Sequence, residues 1–317
     1  MRLLLVNALP LDHLGGAEIS FREHLKETPD GVVVDTILPH EDVELSAYDA
    51  VILGNLRPVA QASAPRRPTL KRRLWKLLRH SPLDALTVRS ETAAARLWCH
   101  RLKGYDGYVI KSERDVHPCV RRDARCLDLN TMQRHRCGAT RTVACTFERL
   151  YNLCDAVQFL SPLHRRAINM LVKVEVAQYE IAPSIDLKLF RNDTPFEQRK
   201  NAALVTGDKI RVSSGAWQRA RDAGYEPEQL DYLSVPYERM PEVLNRYRAV
   251  VMEPVMLHAF GRLAAEALAC GCRVLASERV GAMSWEDPLA ACRESNTRFW
   301  EMVMNRPAGP NPRRLCR

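Results

Sequence analysis

RLLLVNAL, residues 2 to 9, begins a series of short apolar runs that take turns with helical patterns, and this alternation restricts the fold more than any other feature of the chain. AEISFREHL (17–25) follows as a helix with Ile19 and Phe21 toward the core. VVVDTIL (32–38), AVILGN (50–55), YVIKSE (108–113) and DAVQFLS (155–161) read as further strands, the last leading into the helical pattern LHRRAINMLV. A second set starts near ALVTG (203–207) and continues through DYLSV (231–235), AVVMEP (249–254) and RVLAS (273–277). Strand and helix in alternation indicate parallel sheets covered on both faces. At 317 residues the chain exceeds one core of ordinary size, so two domains are expected. The proline-bearing stretch IAPSIDLKLFRNDTP (181–195) is the expected linker. The architecture read from this pattern is α/β, two Rossmann-like domains facing across a cleft.

Composition narrows the setting. Hydrophobic residues make up 46% and charged residues 27%, an ordinary balance for a globular chain. No apolar run approaches the roughly 20 residues that cross a bilayer. The opening MRLLLVNALP fits a buried first strand better than a signal peptide. The expected setting is therefore cytoplasmic, with the ten cysteines reduced. The net charge of +9 is concentrated in RRPTLKRRLWKLLRH (66–80), which holds seven Lys or Arg and no acid. Leu70, Leu74, Leu77 and Leu78 fall on one helical face, with Lys71, Arg72, Arg73 and Lys76 around the rest. Such a basic amphipathic helix suits a solvated surface, an anionic membrane surface with the protein peripheral to it, or nucleic-acid phosphate.

One carboxylate stands out. In HAFGRLAAEALACGC (258–272), Glu266 is the single acid of an apolar helix that begins after Phe260-Gly261 and stops at Gly271. AVVMEP, this helix and RVLAS make one βαβ unit. The helix then starts at the carboxyl end of its strand, where open parallel sheets bind ligands and where free N–H groups favour an anion. A helix packed on its sheet with Glu266 leaning to solvent is the plainer alternative.

PVMLHAFGRLAAEALACGCRVLASERVGA resembles the signature of the retaining GT-B glycosyltransferases of family four, two glutamates eight positions apart around a Phe-Gly. The second glutamate matches Glu266, while the first falls on His258. GGAE (15–18), FLSPLH (159–164), PSIDLKLF (183–190) and VPYERMPEVLNRYRAVV (235–251) agree in order with other family segments. SWEDPLAACRESNTRFWEMV (284–303) resembles the helix that crosses back to the first domain. The resemblance implies the GT-B fold, with an acceptor-side domain over 1–182 completed by 287–317, and a nucleotide-sugar domain over 183–286.

It also implies donor chemistry: a UDP- or GDP-linked sugar transferred with retention to an acceptor hydroxyl, hexosyl or pentosyl, without a metal or cofactor. Glu266 would hold the ribose, Phe260, Gly261, Arg262 and Leu263 would lie along the diphosphate and sugar, and Gly15 and Gly16 would close from the other side. Lys209 and Arg211 fall where the family keeps a basic pair, although its Lys-Gly step appears as Ser214-Gly215. YVIKSERDVHPC (108–119) resembles a segment in which a histidine between two acids approaches the donor sugar. Here Arg114 stands between Glu113 and Asp115, and either acid is a candidate for positioning the acceptor or taking its proton. With His258 also altered, the donor is expected to differ from ordinary glucose. A hydroxylated base in DNA is an alternative acceptor, and a non-catalytic nucleotide-sugar-binding protein is an alternative in kind. Cys119, Cys126 and Cys137, with His117 and His135, lack the spacing of paired zinc ligands and are read as reduced thiols without a metal.

Overall fold

Successive residues of the first strand face opposite ways, and both ways are apolar. In the computed structural model, which describes residues 1–11, 16–56, 84–119, 124, 127–129, 131, 133–134, 141–206, 215–230 and 235–306, Leu3 and Leu5 pack in one cluster and Leu4 and Val6 in another. The strand is β1 (Arg2–Val6), and the same division recurs in β3 (Ala50–Leu53) and β4 (Tyr108–Ser112). Strands apolar on both sides must be covered on both sides.

Cover on one face comes from α1 (Gly16–Lys26), and on the other from α2 (Asp84–Arg101) and α3 (Arg141–Leu153). Phe21 enters the cluster with Leu3 and Leu5, while Trp98, Phe147, Leu150 and Tyr151 enter the one with Leu4 and Val6. The sheet is completed by β2 (Val33–Ile37), β7 (Ala156–Phe159) and β8 (Ala177–Glu180), with α4 (Pro162–Leu171) between the last two. A short hairpin, β5 (Leu127–Asp128) with β6 (Gln133–Arg134), lies apart. The strand order is β2-β1-β3-β4-β7-β8, all parallel, so winding reverses between β1 and β3.

The second sheet repeats this plan with β9 (Lys200–Thr206), α5 (Gly215–Asp222), β10 (Glu226–Leu230), α6 (Met240–Leu244), β11 (Tyr247–Met252), α7 (Arg262–Ala269) and β12 (Arg273–Ala276). Its order is β10-β9-β11-β12, again parallel, with the reversal between β9 and β11. Ala203, Val205, Ala249 and Val251 face α5, while Leu204, Val250 and Met252 face α7. One expected strand is displaced: the second strand is EPEQL, not DYLSV, whose residues 231–234 fall outside those described. EPEQL is an edge strand that buries only Pro227 and Leu230, and an edge tolerates the charge and the proline that hid it.

The chain then crosses back. After α8 (Pro288–Arg293), the helix α9 (Ser295–Met304) sets Phe299, Trp300, Met302 and Val303 against the first sheet. The His24 ring stacks on Phe299 with centroids 4.1 Å apart, and the Trp300 Nε1–H donates to the His24 carbonyl at 3.0 Å. Burial, and then the charge of Arg114, push the His24 pKa down to about 3, against the bond to Asn296. The unfolded chain binds this proton below its usual value of about 6.5 while the folded chain refuses it, so stability present above that pH is lost as pH falls. His24 should cost about 2 kcal/mol by pH 5. Melting temperature should fall by several degrees between pH 7.5 and 5, and His24→Asn should flatten the profile; an unchanged slope would count against this docking.

Candidate functional site

Gly261 fixes where α7 begins. Its φ is +82°, the left-handed region that favours glycine, and an added Cβ would stand 3.1 Å from Val280 Cγ1 and 3.3 Å from Met252 Cε. At the other end Gly271, φ +78°, donates to the Leu268 carbonyl while Cys272 N donates to that of Ala267, the paired bonds of a Schellman stop. Between these glycines the helix buries Ala264, Ala265, Glu266 and Ala267. Its start lies after β11, beside the point where the second sheet reverses its winding.

Glu266 is 4% exposed, so it does not lean to solvent. Its Oε1 accepts from the Tyr237 hydroxyl at 3.1 Å and lies 3.3 Å from Arg262 Nε. Burial raises its pKa, and the Arg262 charge and the Tyr237 hydrogen bond oppose that rise. Tyr237 is pushed up by burial and then by Glu266, so it remains a protonated donor.

Arg262 bridges the two domains. Its Nη1 donates to Ser20 Oγ on α1 at 3.0 Å and to the Ser184 carbonyl at 2.8 Å, and its Nη2 donates to Tyr237 Oη at 2.9 Å. One side chain thus ties the first domain, the linker and the second domain together. A Cβ on Gly16 would lie 3.5 Å from Arg262 Cδ, so the first turn of α1 is seated directly against it. Further along the junction, Ser161 Oγ donates to the Ala259 carbonyl at 2.7 Å and Leu163 N donates to Ser284 Oγ at 3.1 Å.

From the first sheet comes Arg114, 8% exposed, at the carboxyl end of β4. Its Nε donates to Ser112 Oγ at 2.9 Å and its guanidinium stands 4.2 Å over the Phe21 ring. Nη1 and Nη2 are buried and, among the described residues, have no hydrogen-bond partner. Glu18, on the same helix as Phe21, accepts from Asn7 Nδ2 at 3.0 Å.

Glu113 departs from expectation. It is fully buried: Oε1 is held by His117 Nδ1, and Oε2 accepts from Tyr151 Oη at 2.6 Å and faces Lys111 Nζ at 3.3 Å. Burial alone would raise its pKa, but His117 and Lys111 outweigh that and hold the carboxyl far below the usual range. A carboxylate with both oxygens committed inside the domain cannot take a proton from an acceptor in the cleft, so Glu113 is a structural ion. Asp115 is half-buried, and its carbonyl meets His164 Nε2 at 3.0 Å.

The structure brings together Gly16, Arg114, Phe260, Gly261, Arg262, Leu263 and Glu266, with half-buried His258 next to Gly261. His258 joins the loop after β12 through its N–H to the Arg279 carbonyl at 2.8 Å and its carbonyl from Gly281 N at 3.0 Å. Gly15, Lys209, Arg211, Ser214, the basic segment with Lys71, Arg72, Arg73 and Lys76, and Cys126, His135 and Cys137 lie outside the described residues. Of the thiol group Cys119 is described and buried. Reading the sequence missed Ser20, Ser184 and Tyr237, which carry the contacts of Arg262. Tyr237 and Ser184 had a signal, since they fall inside VPYERMPEVL and PSIDLKLF; Ser20 had none. A groove of about 660 Å³ also lines α5 and β12, where Arg219 Nε donates to Glu253 Oε2 at 2.7 Å. Among the described residues no helix is long and apolar enough to cross a membrane.

No protein-family model and no curated protein sequence matches the chain. Among solved structures, the sucrose-phosphate synthase of Thermosynechococcus elongatus is similar at 13% identity and a TM-score of 0.52, over 95% of this chain and 90% of that one. HepE of Anabaena, in complex with UDP-glucose, is similar at 12% identity and a TM-score of 0.48, over 96% and 91%. The first of these likenesses shows the fold: the two parallel-sheet domains with a returning C-terminal helix are the GT-B architecture.

Proposed function

We propose that the chain is a glycosyltransferase that takes its sugar from a UDP- or GDP-linked donor seated in the cleft, with retention and without a metal. The observation that carries the reading is Glu266: a buried carboxylate in the second turn of a helix whose first turn opens behind a left-handed glycine at a topological switch point. The Arg262 charge and the Tyr237 hydrogen bond favour its ionised form, which accepts hydrogen bonds from a ribose. The N–H groups of the first turn, at Arg262 and Leu263, would bind the diphosphate. In transfer, the bond from the anomeric carbon to the phosphate oxygen breaks and its electron pair stays with the diphosphate, stabilised by the Arg262 guanidinium and the helix N-terminus. The acceptor oxygen bonds to that carbon and gives up its proton, with Asp115 as the candidate acceptor. Lys209 and Arg211 would add positive charge at the diphosphate. The basic segment with Lys71, Arg72, Arg73 and Lys76 would contact an anionic acceptor or surface.

A screen of UDP- and GDP-sugars by thermal shift tests this. A donor at 100 times its Kd should stabilise the protein by about 2.7 kcal/mol, and Glu266→Ala should abolish the shift. A wild-type protein that no nucleotide or nucleotide sugar stabilises would sink the reading. A second reading, a nucleotide-sugar-binding protein without turnover, draws on the sequestered Glu113. Release of UDP or GDP from a bound donor excludes it.

A further inference from the structure

Arg114 has more donors than the protein uses. Its Nε is spent on Ser112 Oγ and one face of its guanidinium on Phe21, yet Nη1 and Nη2 are buried and, among the described residues, have no hydrogen-bond partner. A buried, unsatisfied charged group is costly, and proteins rarely keep one without use. Three fixed charges act on it: Glu18 and Glu113 attract it, and Arg262 repels it. Glu18 accepts from Asn7 Nδ2 at 3.0 Å, and neither terminal nitrogen of Arg114 has a hydrogen bond to it. The two guanidiniums thus meet adjacent residues of α1, Arg262 contacting Ser20 and Arg114 contacting Phe21.

We propose that Arg114 receives an oxyanion carried on a sugar in the cleft, a carboxylate or a phosphate separate from the donor's own diphosphate. The two terminal nitrogens of a guanidinium form a planar fork that matches both groups with paired hydrogen bonds, and a neutral hydroxyl uses only part of it. An anion there also relieves the repulsion between Arg114 and Arg262. Arg262 has its own terminal nitrogens occupied by Ser20, Ser184 and Tyr237, so it contributes charge while Arg114 contributes hydrogen bonds. The inference rests on the glycosyltransferase reading. It makes Arg114 a specificity-determining residue, and it replaces an unspecified altered sugar with an acidic one.

The oxyanion has two sources, an acidic donor sugar or a phosphorylated acceptor, and two arms of one binding experiment on the full chain separate them. The first compares UDP-glucuronate with UDP-glucose. The second, with UDP saturating, compares glucose 6-phosphate with glucose. At least a tenfold tighter Kd for the charged member is expected in one arm. Arg114→Gln should bring the charged member down to the affinity of the neutral one, and Arg114→Lys, which keeps a point charge but loses the fork, should restore part of the preference. Equal affinities in both arms with UDP still bound, or a preference that survives Arg114→Gln, overturns this inference and leaves the glycosyltransferase reading standing. Failure of UDP, GDP and every sugar nucleotide to bind overturns both.

Discussion

Lys111→Met is expected to destabilise the folded chain by about 3–5 kcal/mol, a large share of what a folded protein has to lose. Lys111 lies in YVIKS, a strand buried along its whole length. Its Nζ donates to the carbonyls of Gly54 and Ser112 at 2.9 Å each and lies 3.3 Å from Glu113 Oε2. Burial pulls its pKa down, and Glu113 opposes that. Methionine keeps most of the apolar volume of the stem, so the cost is electrostatic: two carbonyls lose a donor and Glu113 loses the Lys111 ammonium at its Oε2. Urea denaturation followed by circular dichroism reads the effect directly. Glu113→Gln should also destabilise, and the two together should cost clearly less than their sum, because each alone strands the other's charge. Strictly additive losses would mean that the two side chains do not share a network. Donor-induced thermal shifts should persist in whatever fraction of each variant folds, since neither residue faces the cleft.

This network shows where reading the sequence stops. The strands of the first sheet that are apolar on both faces were legible, because YVIKS and AVILGN offer no polar side to water. Two edge strands were not: AQYE (Ala177–Glu180) and EPEQL carry polar residues that an edge position permits, while the edges β2 and β12 kept enough apolar residues to be read. The helix α3 was legible in principle, with Val143, Phe147, Leu150 and Tyr151 at helical spacing, but it lies beyond an irregular stretch that gave no frame. At the site, Glu266 was conspicuous as one acid among alanines, and the structure gives it a partner set instead of open solvent. Lys111 is the same kind of signal, one cation in an apolar strand, and it points to Glu113 as its counter-ion. Two acids flanking Arg114 look alike in sequence. Only folding separates them, because which one turns inward to Lys111, His117 and Tyr151 is settled by packing against a helix that begins only at Arg141, from which Tyr151 donates. The role of Ser20 was invisible because it acts through an arginine distant in the chain.

Gly281→Ala is expected to cost at least about 3 kcal/mol and to weaken donor binding with it, at the upper end of what overpacking does. A Cβ there would stand 2.2 Å from the Ala259 carbonyl oxygen, 2.5 Å from Ser161 Oγ and 2.7 Å from the Ala259 carbonyl carbon. Two of those three atoms are backbone, which cannot rotate away. The Ala259 carbonyl is also the acceptor through which Ser161 of the first domain holds the loop of the second, at 2.7 Å. Relief therefore has to come from moving residues 258–261, and this moves the left-handed Gly261 that sets the start of α7. The stability loss and the loss of a nucleotide-sugar thermal shift should appear together. Ser161→Ala in the same chain removes only the 2.5 Å conflict and should recover little, since the clash with the carbonyl remains. Full recovery by that second change would show the serine to be the obstacle, and the close backbone approach at the domain junction would then not be what fixes the site.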